Sequence, residues 1–180
     1  MKVVVFFATG YEGIEALSVV DVLRRGEVEV IMTGVDGKTV KSSRNIPVVM
    51  DQTLEEVDYE SVDMLVLPGG VPGVHNLFAS EEVKKQVKQF KDQNKWLAAI
   101  CAGPGVLGKC GVLEGEKATC YPGFEEELIG ACVLKERVVT SGKIVTGIGA
   151  GASLEFALEL LSHLKGKEVA DKVKVAMIIK

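Results

Sequence analysis

Three short runs in this chain are almost free of polar side chains: residues 2–8, 64–67 and 96–100. A strand with one face in water alternates apolar and polar residues, whereas a continuous apolar run belongs to a strand covered on both faces. Stretches with helical spacing fall between and after these runs. Residues 14–25 read as a helix ended by Gly26 as a C-terminal cap. Ser80 caps a helix whose first turn carries Glu81 and Glu82, with Val83, Val87 and Phe90 along one face. Residues 152–164 form the last strong helix, with Leu154, Ala157, Leu158 and Leu161 at helical intervals. Residues 27–33 read as a second strand, and 38–42 with 46–50 as a small antiparallel excursion after the turn signal Asp36-Gly37. Residues 137–140 and 144–146 flank Ser141-Gly142-Lys143 and read as a hairpin, while 173–179 fits either strand or helix. Strands alternating with helices imply an α/β, flavodoxin-like doubly wound sandwich, a mostly parallel sheet with helices on both faces. The chain of 180 residues reads as one domain, 1–180, with no linker and no internal repeat.

Cys101 follows the third apolar run at once, and Ala102-Gly103-Pro104-Gly105-Val106-Leu107 then reads as the start of a helix. A strand that stops at a nucleophile and turns directly into a helix is the layout of a nucleophile elbow. The small residues Ala99, Ala102 and Gly103 permit the sharp turn, and a helix N-terminus beside the sulfur favours thiolate over thiol. The alternative is a buried, inert cysteine.

In an open parallel sheet the loops leaving the C-terminal strand ends gather at one edge, where ligands bind. Three loops of this chain leave strands in that sense: 9–15, 68–73 and the Cys101 elbow. Glycines in 68–73 allow backbone N–H groups to face the sulfur or an oxyanion, or simply make a tight turn. Glu15 either serves the dipole of the first helix or sits against Cys101 and shares a proton with it. A cysteine nucleophile usually works with a histidine base, and there are two histidines. His163 lies near the end of the last helix and reads as structural, whereas His75 follows the glycine loop and is a candidate for the active edge. Tyr121 lies in a further loop and offers a hydroxyl, or is an ordinary half-buried aromatic; Cys110 and Cys120 read as packing residues.

Composition narrows the setting. The net charge is −4 with no basic block, which argues against nucleic acid as a partner. No run reaches the ~18 apolar residues of a membrane span. The apolar start is too short for a signal peptide and is soon followed by Glu12 and Glu15. Four cysteines without CxxC pairing suggest neither a metal site nor a disulfide framework, so the expected location is cytoplasmic. The Pro68-Gly69-Gly70 loop lacks a dinucleotide fingerprint and a P-loop lysine, so no cofactor is expected.

Three segments together resemble the ThiJ/PfpI superfamily: Val66-Leu67-Pro68-Gly69-Gly70, Ala98-Ala99-Ile100-Cys101-Ala102-Gly103-Pro104 and Gly149-Ala150-Gly151-Ala152-Ser153-Leu154-Glu155-Phe156-Ala157. The similarity covers nearly the whole chain, including residues 173–180, and is greatest to the branch of the Parkinson's-disease-associated protein deglycase and its bacterial relatives. It implies a homodimer and an easily oxidised Cys101 thiolate hydrogen-bonded by a protonated Glu15. It also implies a pocket lined by the backbone of Gly69 and Gly70 and the amide of Ala102. The activities it implies are glutathione-independent glyoxalase, deglycation of methylglyoxal-type α-oxoaldehyde adducts, holdase chaperone action and protection in oxidative stress. The partners are then small reactive aldehydes or glycated adducts. Two departures matter. The peptidase branch places a histidine directly after the nucleophile, where this chain has Ala102, which argues against a cysteine peptidase. The human-like branch carries a histidine before a proline in the pocket, where this chain has Tyr121-Pro122, and tyrosine is a far weaker base near neutral pH. A role in thiazole-phosphate biosynthesis would rest only on a name long attached to the family.

Overall fold

The computed structural model describes residues 1–179; Lys180, at the end of the 173–180 tail, lies outside the described residues. In chain order the elements are β1 (Lys2–Phe7), α1 (Gly13–Arg25), β2 (Glu29–Gly34), β3 (Thr39–Lys41), β4 (Pro47–Val49), β5 (Gln52–Thr53), β6 (Met64–Leu67), α2 (Gly73–Ala79) and α3 (Glu81–Asp92). The second half adds β7 (Trp96–Ile100), α4 (Pro104–Lys109), β8 (Lys117–Ala118), β9 (Cys132–Val133), β10 (Val138–Ser141), β11 (Ile144–Gly147), α5 (Ser153–Lys165) and α6 (Lys167–Ala176).

The main sheet has seven strands in the order β10-β11-β7-β6-β1-β2-β5, all parallel except the edge strand β10. This is a flavodoxin-like α/β arrangement. The apolar run of β1 divides between two cores because successive side chains point to opposite faces. Val3, Val5 and Phe7 pack with α1, α5 and α6, including Val19, Leu23, Phe156, Leu161 and Val173. Val4, Phe6 and Ala8 pack with α2, α3 and α4, including Leu77, Val83, Phe90 and Leu107. Burial on both faces is why these strands show no alternation.

The caps follow the expected residues. Gly26 closes α1, its N–H donating to the Val22 carbonyl at 3.2 Å and the next N–H, of Glu27, to the Arg24 carbonyl at 3.1 Å, and Ser80 Oγ accepts the Val83 amide at 3.3 Å to start α3. β3 and β4 pair antiparallel, as do β10 and β11. Two helices depart from the sequence reading. Pro72 and Gly73 look like loop, yet α2 begins at Gly73 and buries Val74 and Leu77. In the tail, α6 begins at Lys167, beyond Gly166 at φ 90°, so residues 173–176 are helical and 177–179 follow the helix.

Candidate active site

β1, β6 and β7 are consecutive in the sheet, and each ends in one of the three candidate loops. The chain leaves β7 at Cys101, whose φ of +63° lies in the left-handed region. That conformation costs a residue with a side chain of order 1 kcal/mol. It is held by two backbone bonds: the Cys101 N–H donates to the Gly147 carbonyl at 2.8 Å, and the Tyr121 N–H donates to the Cys101 carbonyl at 2.8 Å. Gly103 completes the turn because no side chain fits there; a methyl would lie 2.5 Å from the Leu67 carbonyl oxygen.

Glu15 sits one residue past Ile14 on the first turn of α1, and the two reverse the usual order. Ile14 is 60 % exposed, while Glu15 is 1 % exposed. The Glu15 carboxyl reaches under the glycine loop, where Oε2 accepts the Gly69 N–H at 2.9 Å. The other oxygen, Oε1, has no hydrogen-bond partner. The Cys101 thiol lies beside this carboxyl and is also approached by the amides of Ala102 and Gly70. Gly69 is the contact point of all three loops. A methyl group there would stand 2.6 Å from Cys101 Cβ, 2.7 Å from Glu15 Oε2 and 3.0 Å from the Ala102 nitrogen.

Burial lifts the Glu15 carboxyl from 4.5 to about 7, and the negative charge of Glu12 one helical turn away adds to the rise. The Cys101 thiol is pushed up to about 12 by burial and by the ionised Glu15, against the pull of the Ala102 and Gly70 amides. Burial is the first cause of both rises, and the charge on Glu15 adds to that of Cys101, so a second negative charge in the pocket is the harder one to form. Above about pH 7 the two groups therefore hold a single proton between them. This differs from a thiol simply acidified by a helix. α4 starts three residues after Cys101 and has only six residues, and burial together with the ionised Glu15 outweighs the pull of the local amides.

The structure thus brings Cys101, Glu15, Gly69, Gly70 and Ala102 together. It does not bring His75 to them: that residue is exposed on α2 and makes no hydrogen bond to Cys101 or Glu15. Tyr121 joins through its backbone, while its ring is 51 % exposed and lies over Gly149, where a methyl would be 3.3 Å from Cδ2. His163 stacks on Trp96 with ring centroids 4.5 Å apart, which suits a structural part. Cys110 and Cys120 are buried in the opposite core from the one Cys101 touches. Glu12 was not singled out by the sequence, although its i, i+3 spacing to Glu15 was the available signal. Among the described residues no group of three or more His, Cys, Asp or Glu side chains could hold a metal ion, and no helix is long and apolar enough to cross a membrane.

Residues 1–163 match the model of the DJ-1/PfpI family. The chain belongs to the DJ-1/PfpI family. Among its relatives, "Protein DJ-1 homolog B" of Arabidopsis thaliana is 38% identical over 99% of this chain, but the chain spans only 42% of that protein and 46% of its homolog A. The "Glutathione-independent glyoxalase DJR-1.2" of Caenorhabditis elegans is 32% identical over 87% of this chain and 84% of its own length. The solved structure "Toxoplasma gondii DJ-1, oxidized" superposes with a TM-score of 0.94 at 39% identity, covering 98% of this chain and 97% of that one. The sandwich described above is therefore the DJ-1 fold.

Proposed function

We propose that this DJ-1/PfpI protein is a cysteine-dependent enzyme that converts methylglyoxal-type α-oxoaldehydes, or their early adducts, to hydroxy acids without glutathione. The observation that carries the reading is a buried carboxyl with an unpartnered oxygen beside the Cys101 sulfur, at the meeting point of three loops. The 32%-identical glyoxalase supports it.

The chemistry is an internal redox reaction, so no external oxidant is required. Cys101 Sγ forms a bond to the aldehyde carbon, and the shared proton moves through Glu15 to the aldehyde oxygen, giving a hemithioacetal. Glu15, now a carboxylate, removes the hydrogen from that carbon and returns it to the neighbouring carbonyl carbon, and it relays the hydroxyl proton from the first oxygen to the second. The first carbon is oxidised as the second is reduced, and a 2-hydroxyacyl thioester results. Water then cleaves the C–S bond, releasing the hydroxy acid and restoring the thiol. The amides of Gly70 and Ala102 hold the oxygen on which negative charge develops. No histidine is needed, because one carboxyl carries every proton.

The test is methylglyoxal turnover without glutathione, followed as lactate enantiomers, in wild type, Cys101→Ser and Glu15→Gln. Turnover by wild type that disappears in both variants is expected. Full turnover by Cys101→Ser, or none by wild type, overturns the reading.

A second reading, a redox-responsive stress protein or chaperone with little turnover, is favoured by one feature: Cys110 and Cys120 are buried, and of the two remaining cysteines, Cys101 and the exposed Cys132, only Cys101 is approached by the backbone amides of Ala102 and Gly70. A relative of the same fold was solved in a form described as oxidised. Mild peroxide should then oxidise Cys101 ahead of the other thiols, as read by peptide mass spectrometry. We place the protein in the cytoplasm as a homodimer without cofactor; sedimentation of the purified chain tests the dimer.

A further inference from the structure

Beside the elbow, on the β11 side, lies a cavity of about 430 Å³ that contains neither Cys101 nor Glu15 in its lining. Its position is set by the backbone of Cys101. One wall is Thr119, Cys120 and Pro122, a segment tied to the Cys101 carbonyl through the Tyr121 N–H at 2.8 Å. Another includes Ile148, the residue after Gly147, whose carbonyl accepts the Cys101 N–H at 2.8 Å. Both walls are therefore one hydrogen bond from the elbow, at the sheet edge where α/β folds bind ligands.

The lining has a definite chemistry. Val133, Leu134 and Ile148 make it apolar. Glu125 and Lys135 bring one charge of each sign, and among the described residues neither is in an ion pair. One Glu125 oxygen accepts the Gly123 N–H at 2.7 Å. Thr119 also lines the cavity at 1 % exposure, and its Oγ1 has no hydrogen-bond partner, although its N–H donates to Thr146 Oγ1 at 2.9 Å.

We infer that this cavity binds a small zwitterion with an apolar side chain, an amino acid of the leucine class, and that its occupancy is felt at Cys101. The ammonium group meets Glu125, the carboxylate meets Lys135, and the side chain lies among Val133, Leu134 and Ile148. A ligand there holds residues 119–122 and 148 in place, and with them the two hydrogen bonds that fix the elbow. The inference stands apart from the glyoxalase reading, since it requires only a binding site and a reactive thiol.

The test titrates L-leucine, with N-acetyl-L-leucinamide as the uncharged comparison, into ¹⁵N-labelled protein. Saturable shifts confined to residues 119–125, 133–135 and 148 are expected with leucine and not with the blocked analogue. Glu125→Gln and Lys135→Met, each checked for native circular dichroism, should each weaken binding about tenfold, the loss of one charged contact. Saturating leucine should change the iodoacetamide alkylation rate of Cys101 at least twofold in wild type and leave it unchanged at the same concentration in Lys135→Met. No saturable shift up to 20 mM (about the weakest binding worth a site), equal binding of the blocked analogue, or affinity unaltered in both variants overturns the site. An alkylation rate indifferent to bound leucine overturns its link to Cys101.

Discussion

Glu15→Gln keeps the shape of a carboxyl that is 1 % exposed and accepts the Gly69 amide, but removes its ionisation. The folded protein holds the Glu15 proton up to about pH 7, whereas the unfolded chain releases it at 4.5. Between those values the native state binds the extra proton, so stability falls as pH rises and levels off above about 7. The difference from 4.5 to about 7 corresponds to ~3 kcal/mol. Neighbouring titrations fall outside that window. The Cys101 thiol, raised from 9.0 to about 12, acts only above pH 9, and Glu56 and Glu116, both lowered from 4.5, act below it. Urea unfolding read by Trp96 fluorescence, at one protein concentration and in steps from pH 4.5 to 8, measures the effect. Taking the difference between variant and wild type cancels any titration they share. The variant should gain ~3 kcal/mol relative to wild type across that range. A difference that stays within about 1 kcal/mol throughout would show that burial does not keep Glu15 protonated, and the shared-proton mechanism would fall with it.

Three further outcomes follow from the same geometry. Gly69→Ala should lower methylglyoxal turnover ~100-fold or more, because the methyl displaces Cys101, Glu15 or the Ala102 amide; Gly151→Ala, which meets nothing within 4 Å, should retain activity. Unchanged turnover in Gly69→Ala would refute the close approach. Alkylation of Cys101 followed against pH should show an inflection near 7 in wild type, where the pair loses its first proton, and only a higher one in Glu15→Gln. There the buried thiol titrates alone, and an unmoved inflection would assign it to another group. Ser80→Ala should cost α3 its cap and ~1 kcal/mol in thermal or urea unfolding, with turnover unaffected.

The fold was largely legible because its strands are buried on both faces and its main helices carry their own stop signals. Residues 2–8 and 96–100 needed no partner to be read as central strands, and Gly26 and Ser80 mark boundaries through local chemistry alone. α2 was hidden for the opposite reason: its seven residues open with Gly73 after Pro72, and tertiary burial of Val74 and Leu77 supplies what local preference does not. In the tail, seven consecutive mostly apolar residues gave no period, and Gly166 rather than Val173 marks where the helix begins. The site was legible as a set of loops but not as a set of contacts. Hydropathy would bury Ile14 and expose Glu15, and the structure does the reverse, since the carboxyl is claimed by Gly69, 54 positions along the chain. His75 attracted attention as the usual partner of a thiol, yet helix α2 turns it outward to solvent.

Cys101, Gly69 and Glu15 lie just beyond the ends of three adjacent central strands, Glu15 on the first turn of α1, with further strands flanking them on both sides. Fraying at β5 or β10 leaves the constellation intact, and only separation of the β1–β6–β7 ladders takes it apart. Those ladders are the last part of such a sheet to exchange their amide hydrogens. Heat inactivation and cooperative melting should therefore coincide in this protein, and a partly melted population should be no less reactive per folded molecule than an unheated one.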